Sequence, residues 1–338
     1  MRRLADESGR FKMTAVDQRP PIKNAIAGKL GVAQAPWEEV AWFKALLVRE
    51  LQASSSAMLL DPHYAYPGGI SFLDPAKGLI LTLEDSVFEE TPDGRLSGEI
   101  DDWSVEKIKR VGGDAVKVLT WYRPDAPRQL CQAQQDFTRR IGEACDRFDL
   151  PFVFELLVYP LAQDAEQTRD YVEMRTKKPE LVLESVETFA APGFGVDIFK
   201  LESPLAADDV PGAAAGDAAE AQRWFDALGR AAGRPWVMLS AGAGMEEFRR
   251  ILTHAYAAGA SGYLAGRAIW LEAFDAFPDR DAVRDGLQGP ALAYMDNLNA
   301  LTDEAALPWH RHACYGPGGA QLRSADERFR HRYPGFGS

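Results

Sequence analysis

Four charged side chains in this 338-residue sequence stand inside or at the end of apolar runs, where a solvated charge has no place. Lys117 lies in AVKVLTW (115–121) and Glu155 in FVFELLV (152–158). Lys200 lies in VDIFKLES (196–203), with Glu202 two residues on and therefore on the same face of an extended strand. Asp17 closes KMTAVDQ (12–18). Taken singly, each has a bland reading: a buried ion pair for the strand charges, a turn cap for Asp17. Gathered at one site they imply chemistry. Two neighbouring lysines disfavour each other's protonation, and apolar surroundings add to that effect. The resulting free amine is what Schiff-base formation with a carbonyl requires. A nearby carboxylic acid can then carry protons through carbinolamine formation and dehydration. That chemistry calls for no metal and no cofactor.

A second element lies further along. Ser240 in LSAGAG (239–244) precedes a helix starting near Met245, and Gly266-Arg267 follows SGYLA. Backbone N–H groups at a helix start, with a guanidinium beside them, suit a phosphate. The alternative is that Gly242, Gly244 and Gly266 only make turns. Histidine is scarce, at five residues. His63 falls at the end of the second β-type run, where it could line the mouth of a pocket. His310 and His312 with nearby Cys314 look superficially like a zinc site, but no second ligand cluster accompanies them.

The elements that must position these residues alternate. Eight β-type runs occur at 12–18, 56–62, 78–83, 115–122, 151–158, 196–203, 235–242 and 261–268. Amphipathic segments at 37–52, 128–148, 220–233 and 245–259 lie between them, and only the link between runs two and three is short and unconvincing as a helix. Alternation of this kind implies right-handed crossovers and a parallel sheet. Eight strands, with no GxGxxG after the first, predict a TIM (β/α)8 barrel, whose active site lies at the C-terminal strand ends. Residues 1–300 are read as one barrel domain with 203–219 as a long loop, and residues 301–338 as a C-terminal extension.

Composition narrows the partners. A formal charge of −12 argues against a nucleic-acid or anionic-membrane surface. No run approaches the roughly 20 apolar residues of a membrane span, and MRRLADESGRFKM lacks the apolar core of a signal peptide. Cys131, Cys145 and Cys314 are too few for a disulfide scaffold. On one helix the first two would be roughly 21 Å apart, too far to bridge. The expectation is a cytoplasmic protein acting on a small molecule, with the long tail pointing to a homo-oligomer that light scattering would test.

The motifs MTAVDQR (13–19), GGDAVKVLTWYRPD (112–125), FVFELLVYP (152–160), DIFKLESPL (197–205), VMLSAGAG (237–244) and GASGYLAGRAIW (259–270) are similar, in register, to those of the tagatose 1,6-bisphosphate aldolases. That class I, Schiff-base family of TIM barrels also includes the sulfofructose-phosphate aldolases. The resemblance implies Lys200 as the Schiff-base lysine, Lys117 as the second lysine, Glu155 as the proton shuttle and Asp17 at the hydroxyl deprotonated in C–C cleavage. It implies Ser240, Gly266 and Arg267 around the phosphate of the dihydroxyacetone-phosphate half, Gln18 and Arg19 near the other end, and Arg123 at the distal anion. The implied substrate is a ketohexose 1,6-bisphosphate, foremost tagatose 1,6-bisphosphate, and the implied products are dihydroxyacetone phosphate and glyceraldehyde 3-phosphate. The rival within the chemistry is a sulfofructose-phosphate aldolase. Outside it stand a non-catalytic sugar-phosphate sensor on the same scaffold and a phosphate-binding isomerase that needs no imine.

Overall fold

The computed structural model describes residues 1–164, 174–322, 326–333 and 335. All eight expected strands form, and they close on themselves. The strands are β1 (Phe11–Ala15), β2 (Ala57–Leu60), β3 (Gly78–Thr82), β6 (Ala115–Trp121), β7 (Phe152–Leu157), β8 (Ile198–Leu201), β9 (Trp236–Met238) and β10 (Gly262–Ala265). Their order around the barrel is β1-β10-β9-β8-β7-β6-β3-β2, with every pairing parallel. β4 (Glu89–Thr91) and β5 (Gly94–Leu96) form a separate antiparallel hairpin after β3.

The helices expected at 37–52, 128–148, 220–233 and 245–259 appear as Trp37–Leu51, Arg128–Arg147, Ala218–Ala232 and Met245–Ala257. Two crossovers depart from the simple pattern. The β2–β3 link holds a five-residue α-helix, Ala65–Gly69, continued by a 3-10 turn at Ile70–Phe72, because Pro67 and two glycines are poor helix formers. The β3–β6 link carries the hairpin and a short helix, Val105–Arg110, capped by the Ser104 hydroxyl accepting from the Lys107 amide. The strands themselves are shorter than the apolar runs predict. Chain beyond each ladder diverges to make the mouth, so Asp17, Glu202 and Ser240 lie just past their strand ends.

Alternation along each strand sorts its side chains into layers. On β6, Val116 and Val118 face the helices, while Ala115, Lys117, Leu119 and Trp121 face inward. The inner floor is apolar, with Phe11, Met13, Leu59, Ile80, Val153, Ile198 and Val237 packed together. Leu4 and Trp309 close it from the N-terminal side. Above that floor sits a charged layer, and above part of it an apolar group of Leu119, Trp121, Leu157, Tyr159 and Leu239. A helix runs Leu292–Ala305, and the chain after it turns under the barrel, with the Trp309 amide donating to the Gly9 carbonyl.

Candidate active site

The charged layer is one connected network. Lys117 Nζ lies 2.7 Å from Glu155 Oε2, 2.7 Å from Glu84 Oε1 and 3.0 Å from Asp17 Oδ2. Lys200 Nζ lies 2.9 Å from the same Glu155 Oε2, so one carboxylate oxygen bridges both amines. Sheet register explains the bridge. Glu155 on β7 pairs with Lys200 on β8, placing both at one level of the barrel. Lys117, Glu155, Lys200, Asp17 and Glu84 are all buried. Burial works to raise the carboxyl pKa of Asp17. The charges of Lys117 and Lys200 outweigh it and hold Asp17 well below the usual carboxylate range. Glu155 follows the same balance and is also lowered, with Asp17 pushing weakly the other way. Both therefore stand as carboxylates at neutral pH.

A cavity open at the C-terminal end of the barrel meets this network. Asp17, Lys117, Glu155 and Lys200 form its floor, and Gln18, Glu202, Ser240, Gly266 and Arg267 stand among its other walls. On the β9 side the chain turns through Ala241 at φ 47° and Gly242 at φ 89°. A left-handed alanine is strained by roughly 1–2 kcal/mol, a cost that recurs where backbone amides are aimed at a ligand. The Arg267 guanidinium covers Gly242: a Cβ there would come 3.5 Å from its Cζ. Gly266 begins the helix Arg267–Phe274 with the Ala15 carbonyl and Gln18 amide against it, leaving no room for a side chain. Ser240, two left-handed residues, a helix start and a guanidinium thus meet on one wall. That wall is suited to an anion. Among the described residues, no group of three or more His, Cys, Asp or Glu side chains could hold a metal ion.

An amine and a carboxylate sharing one contact, a second ammonium beside them and an anion wall constitute equipment for imine chemistry on a phosphorylated carbonyl compound. The chain's relatives agree. Residues 11–272 match the family described as DeoC/LacD family aldolase. The chain belongs to that family. Proteins named tagatose 1,6-diphosphate aldolase from Listeria monocytogenes and Lactococcus lactis are each 33% identical to it. The alignments cover 91% of this chain, with 92% of the Listeria protein and 96% of the Lactococcus protein. Among solved structures, an archaeal fructose 1,6-bisphosphate aldolase superposes with a TM-score of 0.55 at 19% identity, over 89% of this chain and 96% of that one. Fructose-bisphosphate aldolase from Plasmodium falciparum gives 0.62 at 13%, over 90% and 93%. These structural likenesses speak to the barrel alone. Among the described residues, no helix of this aldolase is long and apolar enough to cross a membrane.

Two of the expected anion-binding arginines are not among the cavity walls. Arg19 is buried, with Nη2 donating to the Glu84 carbonyl at 3.0 Å and lying 3.7 Å from Glu84 Oε1. Arg123 is also buried, with Nε and Nη2 on the Asp125 carboxylate and Nη1 on Asp164 and the Tyr159 carbonyl. The Arg123 guanidinium is thus held at all three nitrogens by the barrel's own carboxylates and a carbonyl, while Arg19 meets Glu84 through Nη2. His63 is exposed, and its carbonyl accepts from the Trp37 indole. The sequence reading missed Glu84. Its signal was available: GLILTLED places an acid two residues past a fully apolar strand, as MTAVDQ places Asp17. Glu202 is fixed by two partners, accepting from the Val158 amide at 2.7 Å and pairing with buried Lys177 at 3.0 Å.

Proposed function

We propose that this aldolase cleaves tagatose 1,6-bisphosphate by a class I mechanism. The observation carrying the reading is the Glu155 carboxylate bridging two buried amines beside an anion-binding wall. Lys200 Nζ, as the free amine, attacks the C2 carbonyl carbon to give a carbinolamine. Glu155 takes the proton that Lys200 Nζ gives up and passes it to the departing hydroxyl, which leaves as water, and an iminium remains. Asp17 takes the C4 hydroxyl proton as the C3–C4 bond breaks. The bonding pair moves into the iminium, giving an enamine and releasing glyceraldehyde 3-phosphate. Protonation at C3 and attack by water at C2 then return the amine and dihydroxyacetone phosphate. Lys117, kept cationic, faces the oxygens whose charge changes in these steps. Ser240, the Gly242 turn, Gly266 and Arg267 hold the C1 phosphate, and Gln18 stands at the same wall. The names of the curated relatives support the tagatose substrate.

A second reading has one observation in its favour. With Arg123 held by Asp125 and Asp164, a monoanionic distal sulfonate suits the cavity as well as a distal phosphate, which makes 6-deoxy-6-sulfofructose 1-phosphate the competing substrate. Initial rates on tagatose 1,6-bisphosphate, fructose 1,6-bisphosphate and the sulfonate decide between them, with EDTA present and absent. The proposal expects the highest kcat/KM on the tagatose compound and no effect of EDTA. A higher kcat/KM on the sulfonate overturns the choice of substrate, and abolition by EDTA overturns the mechanism.

A further inference from the structure

The two amines of the site are not equivalent, and the difference lies in a residue outside the cavity. Among the described residues, Lys200 meets one carboxylate, Glu155. Lys117 meets three, Asp17, Glu84 and Glu155, all within 3.0 Å. Glu84 is not among the side chains that line the cavity. It is held from its far side as well: Thr82 Oγ1 donates to its Oε2, and Arg19 lies against its Oε1 and carbonyl.

We propose that Glu84 is a positioning residue that fixes Lys117 as the permanent cation of the site, so that Lys200 is the amine that gives up its proton. The inference rests on the reading of Lys200 as the Schiff-base lysine. Imine formation needs one neutral amine, while the alkoxide and enamine steps gain from one ammonium. Two lysines on a shared carboxylate could divide the proton either way. Charged groups among the described residues bear on that division: Asp17 past β1, Glu84 past β3, Glu155 on β7 and Lys200 on β8, with Arg19 behind Glu84. Asp17 and Glu155 have work to do on the substrate, and their charge changes as they do it. Glu84 lies outside the cavity lining, and it is a contact that Lys117 makes and Lys200 does not. Removing one close buried anion shifts a neighbouring lysine's titration down by roughly 1–3 pH units.

The test compares wild type with Glu84→Gln, Glu84→Asp and Thr82→Val. Two readouts are followed: the pH profile of kcat/KM, and borohydride trapping with dihydroxyacetone phosphate followed by peptide mapping. Wild type trapped on Lys200 establishes the underlying reading, and its failure there would sink that reading independently of Glu84. Given that adduct, Glu84→Gln moves the alkaline limb to lower pH by roughly 1–3 units. Glu84→Asp restores it wholly or in part. Thr82→Val, which keeps the carboxylate but frees one side of it, gives a smaller shift in the same direction and covers the case in which Glu84→Gln does not fold. A uniform fall in rate at every pH, with the alkaline limb unmoved in the folded variants, would mean that Glu84 only braces the barrel and would overturn the inference.

Discussion

Lys117, Glu155 and Lys200 share a single carboxylate oxygen, so each residue's work depends on the charge of the other two. Replacing Lys200 by methionine keeps the stem and removes the amine. We expect kcat/KM to fall by at least about a thousand-fold and borohydride trapping to vanish, while circular dichroism stays native. An adduct that persists on another lysine would displace Lys200 from its role. Asp17 gives a pH prediction whose sign follows from its lowered native pKa. Such a group stabilises the fold fully above the unfolded carboxylate range, about pH 4, and loses that contribution as pH falls through the lower native value. The stability gap between wild type and Asp17→Asn should therefore be largest at neutral pH and shrink progressively below about pH 4. Unfolding followed by urea at a series of pH values measures it. A gap that widens on acidification would contradict the ion-pair picture.

At the level of elements, the site is built where strands stop. β9 ends at Met238 and β10 at Ala265, and the anion wall lies in the turns that follow. At Gly266 in these turns, a Cβ would lie 2.7 Å from the Ala15 carbonyl oxygen and from Gln18 Nε2. Backbone at that distance cannot give way cheaply, so Gly266→Ala must shift the start of the helix Arg267–Phe274. We expect KM for the bisphosphate to rise by roughly ten-fold or more, with a stability loss of about 1–3 kcal/mol. Steady-state kinetics and thermal melts report the two effects separately. The β2 end shows a purely structural use of the same position: Asp61 accepts from the His63 and Tyr64 amides and pairs with fully buried Lys44. A charged pair at a strand end is therefore not catalytic by location alone. What separates the two cases is contact with the cavity.

Across the whole molecule, the two ends of the barrel carry different burdens. The C-terminal end holds the chemistry, and the N-terminal end is closed by Leu4 and Trp309 against the apolar floor. Trp309→Ala should therefore lower stability by about 3 kcal/mol and leave kcat/KM at 25 °C nearly unchanged. A large loss of activity in the folded variant would mean that the floor transmits strain to the lysines. Much of this was legible in the sequence. The eight apolar runs, their alternation with helices and the charges inside them fix the barrel, because a parallel strand covered on both sides tolerates a charge only where a partner waits. The same logic marks Lys117, Glu155, Lys200 and Asp17. The tertiary structure alone decided which charges meet. Glu84 joins Lys117 across 33 residues, and Arg19 faces Glu84 rather than the cavity, because sheet register and loop paths set those distances. Arg123 reads identically as a ligand or a brace until Asp125, Asp164 and the Tyr159 carbonyl are seen around it. A side chain's type is written in the sequence, but its partner is set by the closure of the barrel.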